Sequence, residues 1–114
     1  MAVIDYFCHL DENLNIKIEV VDADKQPLDV ANIMFEFATA IDQTAETIQT
    51  LTSNNGISVL DANTGTIQIA FNPTVVGGFP NKNLIYQLRM IDQEDEKTVY
   101  QYGRIFIEPT LFTD

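Results

Sequence analysis

The chain has 114 residues, a length that fits one domain of roughly 100–200 residues. Its 6 basic and 17 acidic side chains give a formal net charge of −11, which excludes the phosphate neutralisation that nucleic-acid binding needs and disfavours anionic membranes. The single cysteine, Cys8, excludes an internal disulfide. We therefore expect residues 1–114 to form one globular domain with no nucleic-acid and no membrane partner.

The amino-terminal sequence lacks the features of a secretory signal peptide. It reads Met-Ala-Val-Ile-Asp over residues 1–5, without a basic residue or an apolar run of about 7–15 residues. No window approaches the roughly 18 apolar residues of a membrane span. We expect the protein to remain in the cytoplasm where it is made, or to be assembled there into something larger.

Period-two alternation of apolar and polar residues predicts strands along most of the chain. Residues 14–20 read Leu-Asn-Ile-Lys-Ile-Glu-Val, and a strand places such alternating side chains on opposite faces. The same pattern predicts, in chain order, strands near residues 4–8, 14–20, 33–38, 57–59, 66–71, 84–90 and 99–107. Asn55-Gly56 predicts a hairpin, because both residues tolerate positive φ.

Residues 41–52 leave two interpretations open. The apolar spacing fits one face of a helix, whereas β-branched residues such as Thr50 and Thr52 lower helix propensity. We favour a strand over about residues 46–52, with a helical turn before it as the alternative.

The number and spacing of these elements predict the fold class. Seven to eight short strands, turns every 8–12 residues or so and no long helix for a crossover predict an all-β, immunoglobulin-like antiparallel β-sandwich. The cysteine pair and tryptophan of antibody domains are missing, so the prediction depends on strand count and alternation.

The sequence contains no recognisable catalytic motif. Cys8 and His9 are neighbours, but adjacent residues of a strand point to opposite faces and do not readily form a catalytic pair. No nucleophile elbow, Walker loop or dinucleotide fingerprint occurs. We expect a protein that is not an enzyme and that uses no cofactor and no small-molecule substrate.

One loop is a weak candidate for metal binding. Asp22, Asp24 and Asp29 lie close together in the sequence, and Ca²⁺ takes several carboxylate oxygens. The loop lacks the glycine and the twelfth-position glutamate of an EF-hand, and aspartate is common in turns because it bonds nearby backbone N–H groups. We favour turn residues over calcium ligands.

The last predicted strand is apolar or aromatic on both faces. Val99, Ile105 and Ile107 share one face by their spacing, and the other face carries Tyr100, Tyr102, Arg104 and Phe106. A strand with one solvated face should not have this composition, so either a loop of the same chain or a second chain covers it. Gly103 within this strand predicts a bulge or a close backbone approach.

A glycine-rich loop is the second candidate contact. Val75, Val76 and Phe79 lie beside Gly77 and Gly78, and they either cover the end of their own core or insert into a neighbour. The candidate partner interface is therefore Val75, Val76, Phe79, Tyr100, Tyr102 and Arg104.

The order of these elements resembles the immunoglobulin-like β-sandwich module of tailed-phage and prophage structural proteins, typified by the amino-terminal domain of upper baseplate proteins. The resemblance is carried by the alternating strand 16–21, the acidic turn 22–27, the aromatic strand 33–37, and the runs Gly65-Thr66-Ile67-Gln68-Ile69, Leu84-Ile85-Tyr86-Gln87-Leu88 and Tyr102-Gly103-Arg104-Ile105-Phe106-Ile107-Glu108-Pro109.

The resemblance implies a non-enzymatic virion component, present in several copies and assembled in the host cytoplasm. It would connect other virion structural proteins, and copies of itself, in the tail or baseplate region. A capsid decoration protein or a head–tail neck protein of the same fold is the alternative. A carbohydrate-binding module with tyrosine platforms and a calcium loop is the alternative from another class, which the absence of tryptophan disfavours.

Overall fold

The computed structural model describes residues 2–9, 13–40, 49–72 and 83–108. Within these residues all regular secondary structure is β, and no helix long and apolar enough to cross a membrane is found. The strands are β1 Ala2–Val3, β2 Tyr6–His9, β3 Leu14–Glu19, β4 Met34–Ala40, β5 Gln49–Ser53, β6 Gly56–Asp61, β7 Thr66–Phe71, β8 Asn83–Ile91 and β9 Lys97–Glu108.

The strands are hydrogen-bonded in the order β1-β9-β8-β4-β5-β6-β7-β3, and β2 also pairs with β9. The β3–β7, β4–β5, β4–β8, β6–β7 and β8–β9 pairs are antiparallel. The short amino-terminal strands β1 and β2 run parallel to β9. The predicted first strand is therefore two strands, interrupted at Ile4 and Asp5.

The sheet folds over into two layers. The rings of Phe37 on β4 and Phe71 on β7 have centroids 6.3 Å apart, although these strands are three places apart in the sheet order. Strands spaced about 4.8 Å apart would put them roughly 14 Å apart in a flat sheet. One layer is therefore β1/β2-β9-β8-β4-β5 and the other is β6-β7-β3, and the predicted immunoglobulin-like β-sandwich is confirmed.

The chain changes layers at the short turn between β5 and β6. Asn55-Gly56 predicted a hairpin, which is wrong: the flanking residues pair in parallel, Thr52 with Gly56 and Ser53 with Ile57. Positive φ angles of 69° at Asn54 and 100° at Gly56 bend the backbone here. The sequence correctly predicts a turn at Asn55-Gly56, but a sharp turn can also carry the chain from one layer to the other instead of forming a hairpin.

The core lies between the layers and takes one face of nearly every strand. The alternation of residues 14–20 is reproduced, with the even-numbered apolar side chains turned inward. The largest side chains with almost no exposure are Tyr86, Phe35, Phe37, Phe71, Ile57, Ile67, Ile69, Leu84, Leu88 and Ile105. The strand predicted over about residues 46–52 is confirmed at Gln49–Ser53, and residues 41–48 lie outside the described residues.

A bulge at Tyr100 resets the alternation along β9. Leu88 pairs with Gln101 and Arg89 pairs with Val99, so Tyr100 has no partner of its own in the ladder. An extra residue in one strand shifts every side chain beyond it to the other face. The prediction that Val99 shares a face with Ile105 and Ile107 is therefore wrong.

Candidate partner interface

The amino-terminal segment is attached to the sheet at Gly103. A Cβ atom at this position would overlap the carbonyl oxygen of Ile4. That oxygen accepts a hydrogen bond of 2.6 Å from the Tyr86 hydroxyl, and the Ile4 N–H donates to the Tyr102 carbonyl at 3.0 Å. The predicted close approach at Gly103 is confirmed, whereas the alternative of a bulge is wrong because the β8–β9 pairing runs through it in register.

A buried network of hydrogen bonds supports this attachment. Gln101 is 2% exposed, and its Nε2 donates to the hydroxyls of Tyr6 and Tyr86 at 2.8 and 2.9 Å. Burial raises the pKa of the Tyr86 hydroxyl well above 10.0, although the hydrogen bond from Gln101 acts in the opposite direction. A buried amide is tolerated only when its donors are satisfied, so the network fixes β1 and β2 against β9.

The outer side of these strands is apolar and aromatic. Val3 and Phe7 are 62% and 67% exposed. Val3 pairs with Tyr102, which is 38% exposed, and Phe7 stacks on Phe106 with ring centroids 4.8 Å apart and an angle of 16°. With the half-buried Ile85 of β8 and the exposed Arg104, these residues form one surface. We call it the aromatic face: Val3, Phe7, Ile85, Tyr102, Arg104 and Phe106.

Polar groups are interleaved with this surface. The backbone N–H of Arg104 donates to Asp5 Oδ1 at 3.0 Å. Asp5, Gln87 and Arg104 line a shallow cleft of about 280 Å³ with Val3, Ile85 and Tyr102. On the far side of Gln87, Arg89 forms an ion pair with Glu36 at 2.5 Å. The surface therefore offers donors, acceptors and both signs of charge beside exposed rings.

The sequence-predicted interface residues separate into three groups. Tyr102 and Arg104 lie together on the aromatic face. Tyr100 does not, because the bulge turns it toward the core, where the Val21 N–H donates to its hydroxyl at 3.0 Å. Its predicted place beside Tyr102 is wrong, because the register shift in β9 turns it to the opposite face of the strand. Val75, Val76 and Phe79 lie outside the described residues.

Four residues of the aromatic face, Val3, Phe7, Ile85 and Phe106, were not part of the interface predicted from the sequence. Phe7 occupies an odd position of the strand predicted near residues 4–8, whose even positions are also apolar, and Val3 immediately precedes that strand. Residues 2–9 carry apolar side chains at both odd and even positions, as β9 does, and this is the sequence signal that indicates Val3 and Phe7.

The weak calcium candidates are held in turns. Asp22 Oδ1 accepts hydrogen bonds from the N–H groups of Asp24 and Gln26 at 2.8 and 3.0 Å, and Asp29 Oδ1 accepts one from Ala31 at 2.9 Å. All three aspartates are exposed. The part of the chain that the structure describes contains no group of three or more His, Cys, Asp or Glu side chains suited to a metal ion.

A second loop repeats the Asp22 geometry. Asp92 Oδ1 accepts from the N–H groups of Glu94 and Glu96, both at 2.9 Å. Lys25 in the first turn and Asp95 in the second have φ angles of 61° and 62°. An identical arrangement in two loops of different sequence indicates that the carboxylate closes the turn.

No protein-family model and no curated protein matches the chain. Fourteen solved chains match its structure. One is murine CRIg, with a TM-score of 0.44 and 8% sequence identity over 93% of this chain and 92% of that chain. The strand order and the folded sheet by themselves define the class of the protein, an immunoglobulin-like β-sandwich.

Proposed function

We propose that this chain is a non-enzymatic structural protein of a tailed-phage virion. It connects neighbouring subunits in the tail or baseplate region, with other virion structural proteins and copies of itself as partners, and the aromatic face is the contact. The virion assignment is supported by the order of sequence elements that resembles the phage structural module. The docking role is supported by the exposed apolar and aromatic side chains of the aromatic face.

The observation that carries the docking role is the exposure of Val3 and Phe7 on a fixed backbone. Large contiguous apolar patches on a folded chain are typical of sites where another molecule binds. Tyr102 and Arg104, which lie in the same surface, are residue types enriched among the anchors of protein interfaces. The Ile4–Tyr86 hydrogen bond and Gly103 hold the segment in place before a partner arrives, so docking would order little new structure.

The proposal is tested by particle assembly. The chain is expressed with its neighbouring open reading frames, and purified particles are examined by mass spectrometry for the native chain and for the variants Phe7→Ser and Tyr102→Ser. We expect the native chain in the particles and both variants depleted from them. The matched control is Leu60→Ser, because Leu60 is 51% exposed on β6 in the other layer.

Two results would contradict the proposal. One is a native chain that is absent from the purified particles. The other is equal incorporation of the native chain and the Phe7 and Tyr102 variants, with all proteins showing the same thermal unfolding. Binding to a glycan array that Tyr102→Ser abolishes would instead support the carbohydrate-binding alternative.

A further inference from the structure

We propose that Asn55 is a site of spontaneous deamidation, at which the backbone nitrogen of Gly56 converts the side-chain amide into a carboxylate with water as the only co-reactant. The proposal goes beyond the proposed function, because it concerns the turn between β5 and β6 and not the aromatic face. It follows from the exposure of Asn55, the conformation of Gly56 and the hydrogen bonds of the turn.

The reacting groups are accessible. Asn55 is exposed, and it is the only asparagine in the sequence that precedes a glycine. The β6–β7 pairing begins with Ile57 opposite Ile69, so Gly56 precedes the paired residues and its N–H is not part of that ladder. Because glycine has no Cβ, no side chain at position 56 obstructs the approach of this nitrogen to Cγ of Asn55.

The fold requires the glycine that makes this asparagine reactive. Gly56 has a φ angle of 100°, a conformation that residues with a side chain rarely adopt. A Cβ atom at this position would also lie 2.6 Å from Cδ2 of Leu51. The turn therefore does not readily accommodate another residue at position 56, and the exposed asparagine keeps a glycine as its neighbour.

The chemistry consumes one water and releases one ammonia. The Gly56 nitrogen gives its proton to solvent and attacks Cγ of Asn55. The new N–Cγ bond closes a succinimide ring, the Cγ–Nδ2 bond breaks, and Nδ2 takes up a proton and leaves as ammonia. Water then opens the ring. Opening at Cγ gives aspartate, and opening at the backbone carbonyl gives isoaspartate.

The hydrogen bonds of the turn act on this reaction in opposite directions. The Thr52 N–H donates to the Asn55 carbonyl oxygen at 3.0 Å, and the Asn55 N–H donates to the Thr52 carbonyl at 2.9 Å. The first bond stabilises the charge that the Asn55–Gly56 peptide group acquires when its nitrogen loses the proton, whereas both bonds resist the rotation that ring closure needs. Breaking one such bond slows a reaction roughly 2–13-fold, so the turn moderates the reaction without preventing it.

The products alter the turn at which the chain changes layers. Both products add a negative charge at an exposed position. In isoaspartate the main chain also gains a methylene group, and the carbonyl that accepts from Thr52 becomes a free carboxylate. Because Thr52 pairs with Gly56, we expect the contact between β5 and β6 to loosen in the modified chain.

Peptide mapping by mass spectrometry tests this inference. The folded full chain is incubated at mildly alkaline pH, and the conversion of each asparagine is followed over time. Asn63 is the matched internal control, because it is also exposed in a turn. We expect conversion at Asn55 to be at least about fivefold faster than at Asn63, since Gly56 has no Cβ and Thr64 is β-branched.

A variant separates the chemistry from other changes during incubation. Asn55→Gln needs a larger ring for the same attack, so we expect no detectable conversion at position 55. Asn55 does not have a positive φ angle, so the turn accommodates the longer side chain. The incubated native chain should have a lower melting temperature than the incubated variant, each compared with its own fresh sample.

Two outcomes overturn the inference. One is conversion at Asn55 that is no faster than conversion at Asn63 in the folded chain. The other is conversion at Asn55 that occurs in urea but not in the folded chain, because the turn would then block ring closure. Fast conversion with an unchanged melting temperature would support the site and contradict the loosening of β5 and β6.

Discussion

The buried hydroxyl of Tyr86 links the core to the surface at the scale of single residues. It donates to Ile4 and accepts from Gln101, and its ring stacks on Phe37 with centroids 5.1 Å apart. The aromatic body thus belongs to the core, while the polar end positions the backbone that carries Val3 and Phe7.

Replacing this hydroxyl should cost stability. Tyr86→Phe leaves the Ile4 carbonyl and one Gln101 donor without their partner, and a buried group left unsatisfied costs about 1–3 kcal/mol. We expect the free energy of unfolding in urea to fall by about that amount. Tyr102→Phe is the control, because Tyr102 is exposed, and equal losses in the two variants would contradict the role of the network.

The same hydroxyl predicts a pH dependence. Burial raises the pKa of Tyr86 in the folded state above 10.0, the ordinary value that holds in the unfolded chain. The unfolded state therefore releases this proton first, so the stabilisation is complete below pH 10 and declines as the pH rises beyond it. Thermal unfolding measured across this range should show a steeper decline for the native chain than for Tyr86→Phe, and parallel curves would count against the raised pKa.

At the scale of elements, β1 and β2 depend on β9 for all of their strand pairing in the described residues. Gly103 provides the space for Ile4 that this pairing requires. The attachment is local, so it should be possible to weaken it without unfolding the rest of the sandwich.

Gly103→Ala tests the attachment. The added methyl group overlaps the Ile4 carbonyl, and we expect a loss of about 1–3 kcal/mol from the resulting backbone shift. Hydrogen exchange followed by mass spectrometry should show faster exchange in residues 2–9 than in β4 and β7. Uniformly faster exchange throughout the chain would mean that Gly103 supports the whole fold and not this segment.

The two aspartate turns make a separate prediction. Asp22→Ala and Asp92→Ala each remove two hydrogen bonds to backbone N–H groups, and each should lower the free energy of unfolding by about 0.5–1.5 kcal/mol. Asp24→Ala is the control. If Ca²⁺ raised the melting temperature of the native chain over that in chelator and Asp24→Ala removed the increase, the loop would be a calcium site.

The sequence predicted an element correctly where the alternation of apolar and polar residues was enough to determine it. The alternation of residues 14–20 gave both the strand and its buried face, because a half-buried strand needs no other information. It failed at Tyr100, because a bulge alters the backbone register without changing the apolar pattern. It also failed at Asn55-Gly56, since a local turn preference does not determine whether the chain forms a hairpin or changes layers. The hydrogen-bond network of Gln101 was not predicted, because the sequence does not show that β2, β8 and β9 lie next to one another.

At the scale of the whole molecule, acidic residues recur in the turns, whereas the aromatic face carries both signs of charge beside its apolar side chains. Six of the 17 acidic side chains lie in the turns at residues 22–26 and 92–96. The charged side chains that line the two clefts beside Gln87 are two basic and two acidic residues, Arg89, Arg104, Asp5 and Glu36. The proposed docking role uses this difference, because a partner would meet the aromatic face and not the acidic turns.

Hydroxyl-radical footprinting tests the docking role of the aromatic face most directly, because it measures the accessibility of individual side chains in the dilute chain and in the assembled state. The account predicts that oxidation of Phe7 and Tyr102 falls sharply on assembly, while oxidation of Leu60 in the other layer is unchanged. Equal oxidation of Phe7 and Tyr102 in both states would contradict it.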